Sequence, residues 1–225
     1  MTDIFHEVEE DLRKEQAKRL WRRFGPYVIL LAVLIVVGTA GWRGWLYWRE
    51  QQAAATGDRF VAALQLAEEG KRDEALKALE DLSNTGSGGY PMIARFRSAA
   101  ELAAAGKTDD AVKAFDTLAA EASTPPLFKA MARLRAAMLL VDTADLPAMK
   151  ARLDDLAATG GPWRNAAREL LGLSAWRAGD LEAARGYFNE IAQDPSAVES
   201  TKARANLMLE LIRSKIGAAA EPAKT

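Results

Sequence analysis

The sequence predicts an all-α protein: a single N-terminal transmembrane helix followed by an α-solenoid of helical hairpins. Three observations carry this. Nineteen consecutive residues, Phe24 to Trp42, hold no charge. Beyond Arg49, alanine and leucine recur at helical periods, with glycine and proline mainly as punctuation. Within that region a glycine–alanine–apolar pattern returns at steps of 36, 38 and 35 residues.

As a helix, the uncharged run rises roughly 28 Å, near the hydrocarbon thickness of a bilayer. Trp21 and Tyr27 flank one end; Trp42, Trp45, Tyr47 and Trp48 flank the other. Indoles and phenols set an apolar ring against lipid and a polar atom among headgroups, so these residues mark two interfacial belts. Lys18, Arg19, Arg22 and Arg23 precede the span with no acid between Gln16 and the run, whereas only Arg43 and Arg49 follow closely. Arg43 can snorkel to the far headgroups. The asymmetry favours a single pass through a bacterial inner membrane, with a cytoplasmic N-terminus and a periplasmic C-terminal domain.

Gly38-Thr39-Ala40 would suit a signal peptidase, which keeps a cleaved, soluble periplasmic adaptor for envelope assembly or division as the rival reading. The acid-rich leader, and an apolar run longer than the roughly 7–15 residues of a signal peptide, favour an uncleaved anchor. The expected division is a cytoplasmic tail over 1–23, the span over 24–48, a helical domain over 49–216 and a disordered tail over 217–225.

In the leader, Phe5, Val8 and Leu12 recur at helical spacing, with acids early and bases late. Two readings stay open: a solvated segment that only sets topology, or a small amphipathic helix that docks on a cytoplasmic partner or the membrane surface.

Composition removes several function classes. There is no cysteine, hence no disulfide framework, thiolate metal site or lipid attachment. The single histidine, His6, lies in the leader, so the helical domain builds no His-based triad or His-rich metal site. A formal net charge of −1 with no basic patch argues against nucleic acid. The acid pairs Glu68-Glu69, Asp109-Asp110 and Asp154-Asp155 are adjacent in sequence; on a helix they point about 100° apart and do not converge as acid and base. The reading is non-enzymatic, with no cofactor.

Three segments carry the repeat: EGKRDEALKALEDL (Glu69–Leu82), AGKTDDAVKAFDTL (Ala105–Leu118) and AGDLEAARGYFNEI (Ala178–Ile191). They align Gly70/Ala75/Leu79/Leu82 with Gly106/Ala111/Phe115/Leu118 and Gly179/Ala184/Phe188/Ile191. A degenerate copy, Val141–Leu156, lacks the glycine. The glycine ends a first helix and reverses the chain, the alanine lets antiparallel helices approach, and the apolar residues fill the seam. Asp73, Asp109 and Asp180 are expected to start the second helices by satisfying free N–H groups. The spacing predicts helix pairs over 52–69/72–84, 91–105/108–122, 127–141/145–158 and 163–178/181–193, with a capping helix over 196–215. Gly86–Gly89, Thr124-Pro125-Pro126 and Gly160-Gly161-Pro162 separate them.

These lengths and the motif resemble the tetratricopeptide repeat. Leu171-Gly172 looks like the leucine–glycine pair of that family's first helix, and Asp194-Pro195 lies near the proline that ends its second. Over nearly its full length the chain is similar to the YfgM family, ancillary subunits of the SecYEG translocon. Gly41-Trp42-Arg43-Gly44-Trp45 looks like that family's exit from the membrane; Tyr90, Ala94, Trp163, Gly172, Gly179 and Ala184 look like its repeat positions. The leader here is longer and more charged. The resemblance implies a scaffold that associates with the Sec translocon and periplasmic chaperones and assists secreted proteins after crossing. It also implies, for some members, a cytoplasmic regulator held by the tail.

A repeat stack offers a groove lined by first helices. On those helices Arg95, Arg97, Arg133, Arg135, Arg164 and Arg168 stand either as partners for an acidic ligand or as solvated face residues. Tyr90, Phe96, Phe128, Trp163 and Trp176 read as packing. Ala53-Ala54-Ala55 and Ala62-Ala63 would suit a homodimer interface.

Overall fold

The computed structural model describes residues 3–158 and 160–220, among which there are nine α-helices and no strand. They are α1 (Asp3–Glu68), α2 (Arg72–Thr85), α3 (Tyr90–Ala104), α4 (Thr108–Ala120), α5 (Pro126–Leu140), α6 (Leu146–Ala158), α7 (Arg164–Ala178), α8 (Leu181–Gln193) and α9 (Glu199–Ala220). The chain divides into two compact units, Met1–Ala55 and Thr56–Thr225.

In the first unit no residue from 29 to 45 is buried. This apolar stretch of α1 belongs to the one helix, among the described residues, long and apolar enough to cross a membrane. The Thr39 hydroxyl donates to the Ile35 carbonyl at 2.8 Å, so the run presents no free hydroxyl there. Trp21, Tyr27, Trp42, Arg43 and Trp48 are exposed, as are Lys18, Arg22 and Arg23. The Trp42 and Trp45 rings lie 5.6 Å apart, and the Arg49 guanidinium sits 5.2 Å from the Trp45 ring. The side chains of Phe5, His6, Val8, Leu12 and Arg19 lie outside the described residues, as do positions 221–225.

In the second unit the repeat glycines make the reversals. Gly70, Gly106 and Gly179 have φ of 80°, 75° and 80°. Each lets the next backbone N–H bond to a carbonyl five residues back: Lys71 to Leu66 at 2.9 Å, Lys107 to Leu102 at 2.9 Å and Asp180 to Ala175 at 3.0 Å. This left-handed cap satisfies carbonyls the helix end would otherwise orphan. The degenerate repeat turns without a left-handed residue: its Leu140 carbonyl accepts from Thr143 at 3.0 Å and Ala144 at 2.8 Å.

The capping expectation holds in one repeat and fails in two. Asp180 accepts from the Ala183 N–H at 3.0 Å and caps α8. Asp73 and Asp109 instead lie inside the first turns of α2 and α4, whose cap positions are Lys71 and Lys107 with no side-chain bond. Asp180 directly follows its glycine, whereas the other two come three residues later, so they help through the helix dipole. In the repeat without glycine, Asp145 accepts from Ala148 at 2.8 Å.

Each second helix drops its apolar face between its own first helix and the next. Leu79 and Leu82 of α2 pack with Ala63 of α1 and Ala94 of α3. Phe115 and Leu118 of α4 pack with Ala99, Ala132 and Ala136 of α3 and α5. Met149 and Leu153 join α6 to α5 and α7; Phe188 and Ile191 join α8 to α7 and α9. Each such side chain contributes about 1.5–3 kcal/mol of burial, and no hairpin has this contact alone. That is why the unit is a stack.

Ala75, Ala111 and Ala184 are fully buried. Met149 takes their place in α6, and α5 and α6 pack less extensively than α3–α4 or α7–α8. The long side chain stands where the other repeats let helices close up. Helix α9 runs past the expected end at 215 to Ala220. Ala63 is fully buried against α2 and α3, so it is not available to the dimer face expected of Ala62-Ala63.

Candidate protein-docking surface

The first helices carry a register of arginines. Arg59, Arg95, Arg133 and Arg168 each stand 23 residues before Leu82, Leu118, Leu156 and Ile191. Each reaches an acid from its own hairpin. Arg59 meets Asp81 at 2.5 Å, Arg133 meets Asp155 at 2.6 Å and Arg168 meets Glu190 at 2.8 Å. All three acids lie 22 residues after their arginine. In the second hairpin that position is Thr117, and Arg95 goes one turn further to grip Glu121 with two bonds of 2.6 Å. Two parallel bonds hold the Glu121 carboxyl below the usual carboxylate range and raise Arg95. Arg133 does the same to Asp155 and also donates to the Arg152 carbonyl.

Arg164 and Arg168 converge on Asp194 at 2.5 and 3.5 Å. Asp194 is buried and accepts from the Ser196 N–H at 2.9 Å and the Ser196 hydroxyl at 2.8 Å. These bonds to Ser196, then Asn165 and Arg164, hold its carboxyl far below the usual range. Arg97 pairs along α3 with the buried Glu101 at 2.6 Å. Arg135 alone of the six arginines proposed for the groove is exposed with no ion pair among the described residues. Arg164 and Arg168 come together; Arg95 and Arg97 on α3, and Arg133 and Arg135 on α5, do not join them.

The exposed large hydrophobic residues are segregated. In the repeat unit, the large hydrophobic residues left exposed are Val61, Ile93, Leu127 and Met138 on first helices, with Val198, Leu207 and Leu211 at the capping helix. None lies on α2, α4, α6 or α8. Helices α5 and α7, with Arg204 of α9, border an open slot of about 290 Å³ lined by Leu134, Met138, Ala166, Leu170 and Leu173. Glu169 and Arg204 close one rim with bonds of 2.6 and 2.8 Å, which raise the Arg204 pKa. An apolar slot with a charged rim has the chemistry to accommodate a hydrophobic side chain. Leu134/Met138 and Leu170/Leu173 repeat at helical spacing, which is visible in sequence; the border from α9 is not.

The aromatics are packing. Phe96 lies 6.0 Å from both Phe115 and Phe128, and Tyr90 lies 6.0 Å from Phe60. Lys215 covers Trp176 at 4.5 Å, and Trp163 donates to the Leu127 carbonyl at 3.4 Å. No cluster of three metal-ligating side chains forms among the described residues.

Stacked hairpins with an apolar first-helix face define a helical-repeat protein of the interaction-scaffold class. The tetratricopeptide repeat-like domain family matches residues 18–218, and the chain belongs to that family. No curated protein matches the chain.

Proposed function

We propose that this protein is a membrane-tethered scaffold that serves the Sec translocon as an ancillary subunit and passes secreted proteins to periplasmic chaperones. The span over 24–48 is its anchor in a bacterial inner membrane, with the leader in the cytoplasm and the repeat domain in the periplasm. The observation that carries the docking part is the segregation of exposed apolar side chains onto the first helices and α9, with Met138 lining the slot. The resemblance of Gly41-Trp42-Arg43-Gly44-Trp45 to the YfgM exit supports the choice of partner. The exposed apolar run of α1 supports the anchor. Tethering raises the local concentration of the slot at the membrane, so weak contacts with passing chains suffice.

The test is affinity purification from gently solubilised membranes. The full chain, a Trp42→Ala/Trp45→Ala variant and a soluble 50–225 fragment are compared. Translocon subunits should co-purify with the full chain and be lost with the fragment. Recovery of soluble proteins alone, or a mature N-terminus near Gly41, would replace this reading with the cleaved adaptor.

A further inference from the structure

Side chains also cross between neighbouring second helices, and two of the three seams are bridged by a cation of α6. Glu80, Asp116 and Asp154 each stand two residues before Leu82, Leu118 and Leu156. Ala114, Arg152 and Tyr187 each stand four residues before Leu118, Leu156 and Ile191. At the α4–α6 seam, Arg152 reaches back to Asp116 with bonds of 2.6 and 2.9 Å. At the α6–α8 seam, Lys150 lies 3.3 Å from Asp154 and donates to the Tyr187 hydroxyl at 3.0 Å. Asp116 is thus paired across its seam, and Asp154 with a cation of its own helix.

At the α2–α4 seam the bridging position is Ala114, too short to reach Glu80. The gap is an open groove of about 410 Å³, lined by both residues. Leu76, Leu102 and Leu118 give it an apolar floor. The Arg95 guanidinium on its wall is already committed to Glu121 by two bonds. Glu80 has no ion-pair partner among the described residues, and Lys77 and Lys113 do not line the groove.

We propose that the α2–α4 groove binds an arginine side chain presented by a protein partner, on the opposite row of helices from the first-helix slot. Its guanidinium would pair with Glu80 as Arg152 pairs with Asp116, and its methylenes would lie on the leucines. The surplus negative charge of Glu80 and the apolar floor select arginine over an acidic or a small polar residue.

The test uses the full chain in detergent micelles, with ¹³C-methyl NMR of Leu76, Leu102 and Ala114 during titration with acetyl-arginine amide. Saturable shifts of these methyls are expected. Acetyl-citrulline amide, isosteric and uncharged, should bind about tenfold more weakly, as should the arginine probe to a Glu80→Gln variant. An Ala114→Arg variant, which fills the seam from within, should abolish the shifts. Equal binding of the two probes, or binding undiminished in Glu80→Gln, would overturn the proposal. Shifts on concentrating the protein without probe would put a second copy in the groove and overturn a foreign partner.

Discussion

The far end of the Phe188 ring of α8 abuts Gly172 of α7, where a Cβ would come within 2.9 Å of two ring atoms. Phe188 is itself 1% exposed, so its ring is held among packed neighbours. Gly172→Ala should therefore destabilise the repeat unit by about 1–3 kcal/mol despite alanine's better helix propensity. Gly186→Ala, on α8 with nothing within 4 Å of its added methyl, should stabilise by up to about 1 kcal/mol. Urea unfolding of both variants measures the pair.

Met149 stands where the other repeats have alanine. Met149→Ala should cost about 2–5 kcal/mol through the cavity between α5 and α6. The reverse change, Ala184→Met, should cost about 1–3 kcal/mol by forcing α7 and α8 apart. Equal and small effects at the two sites would show that the hairpins have the same spacing.

The repeat arginines divide into structural and free. Arg168→Ala leaves Asp194 and Glu190 short of a partner and should lower stability by about 2 kcal/mol. Arg135→Ala, exposed and without an ion pair, should change stability by less than about 0.5 kcal/mol. If either arginine contributes to partner capture, Arg135 is the one whose loss weakens capture at unchanged stability.

Acid should weaken the stack in a defined window. Asp194, held down first by Ser196, Glu121 by Arg95 and Asp155 by Arg133, all have folded pKa values below their ordinary ones. Their contribution is complete above the ordinary carboxylate range and is lost as pH falls through the lower, folded values. The urea midpoint should be flat from pH 7 to about 5 and fall below that. Asp194→Asn should flatten the acid limb more than Glu121→Gln.

Much of this was legible in the chain. The period of the Gly–Ala–apolar pattern placed the helices of the stack within a few residues, because each repeat encodes its own reversal and seam. What sequence does not carry is the partner across the seam. The arginine register at 59, 95, 133 and 168 is visible, yet its acids lie on the returning helix, and Thr117 diverts Arg95 to Glu121. The apolar slot needs borders from α5, α7 and α9, far apart in the chain. The spacing predicts that the last helix ends at 215, but the alanines after Gly217 carry α9 to Ala220.

Site-specific photocrosslinking in intact membranes tests the central claim most directly. A photoreactive residue replaces Met138 in the slot or, as a control, the exposed Ala151 on α6. A protein-docking scaffold with its working face on the first helices predicts adducts to translocon subunits or periplasmic chaperones from position 138 and few from 151. Equal yields from both positions, or adducts from 151 alone, would contradict it.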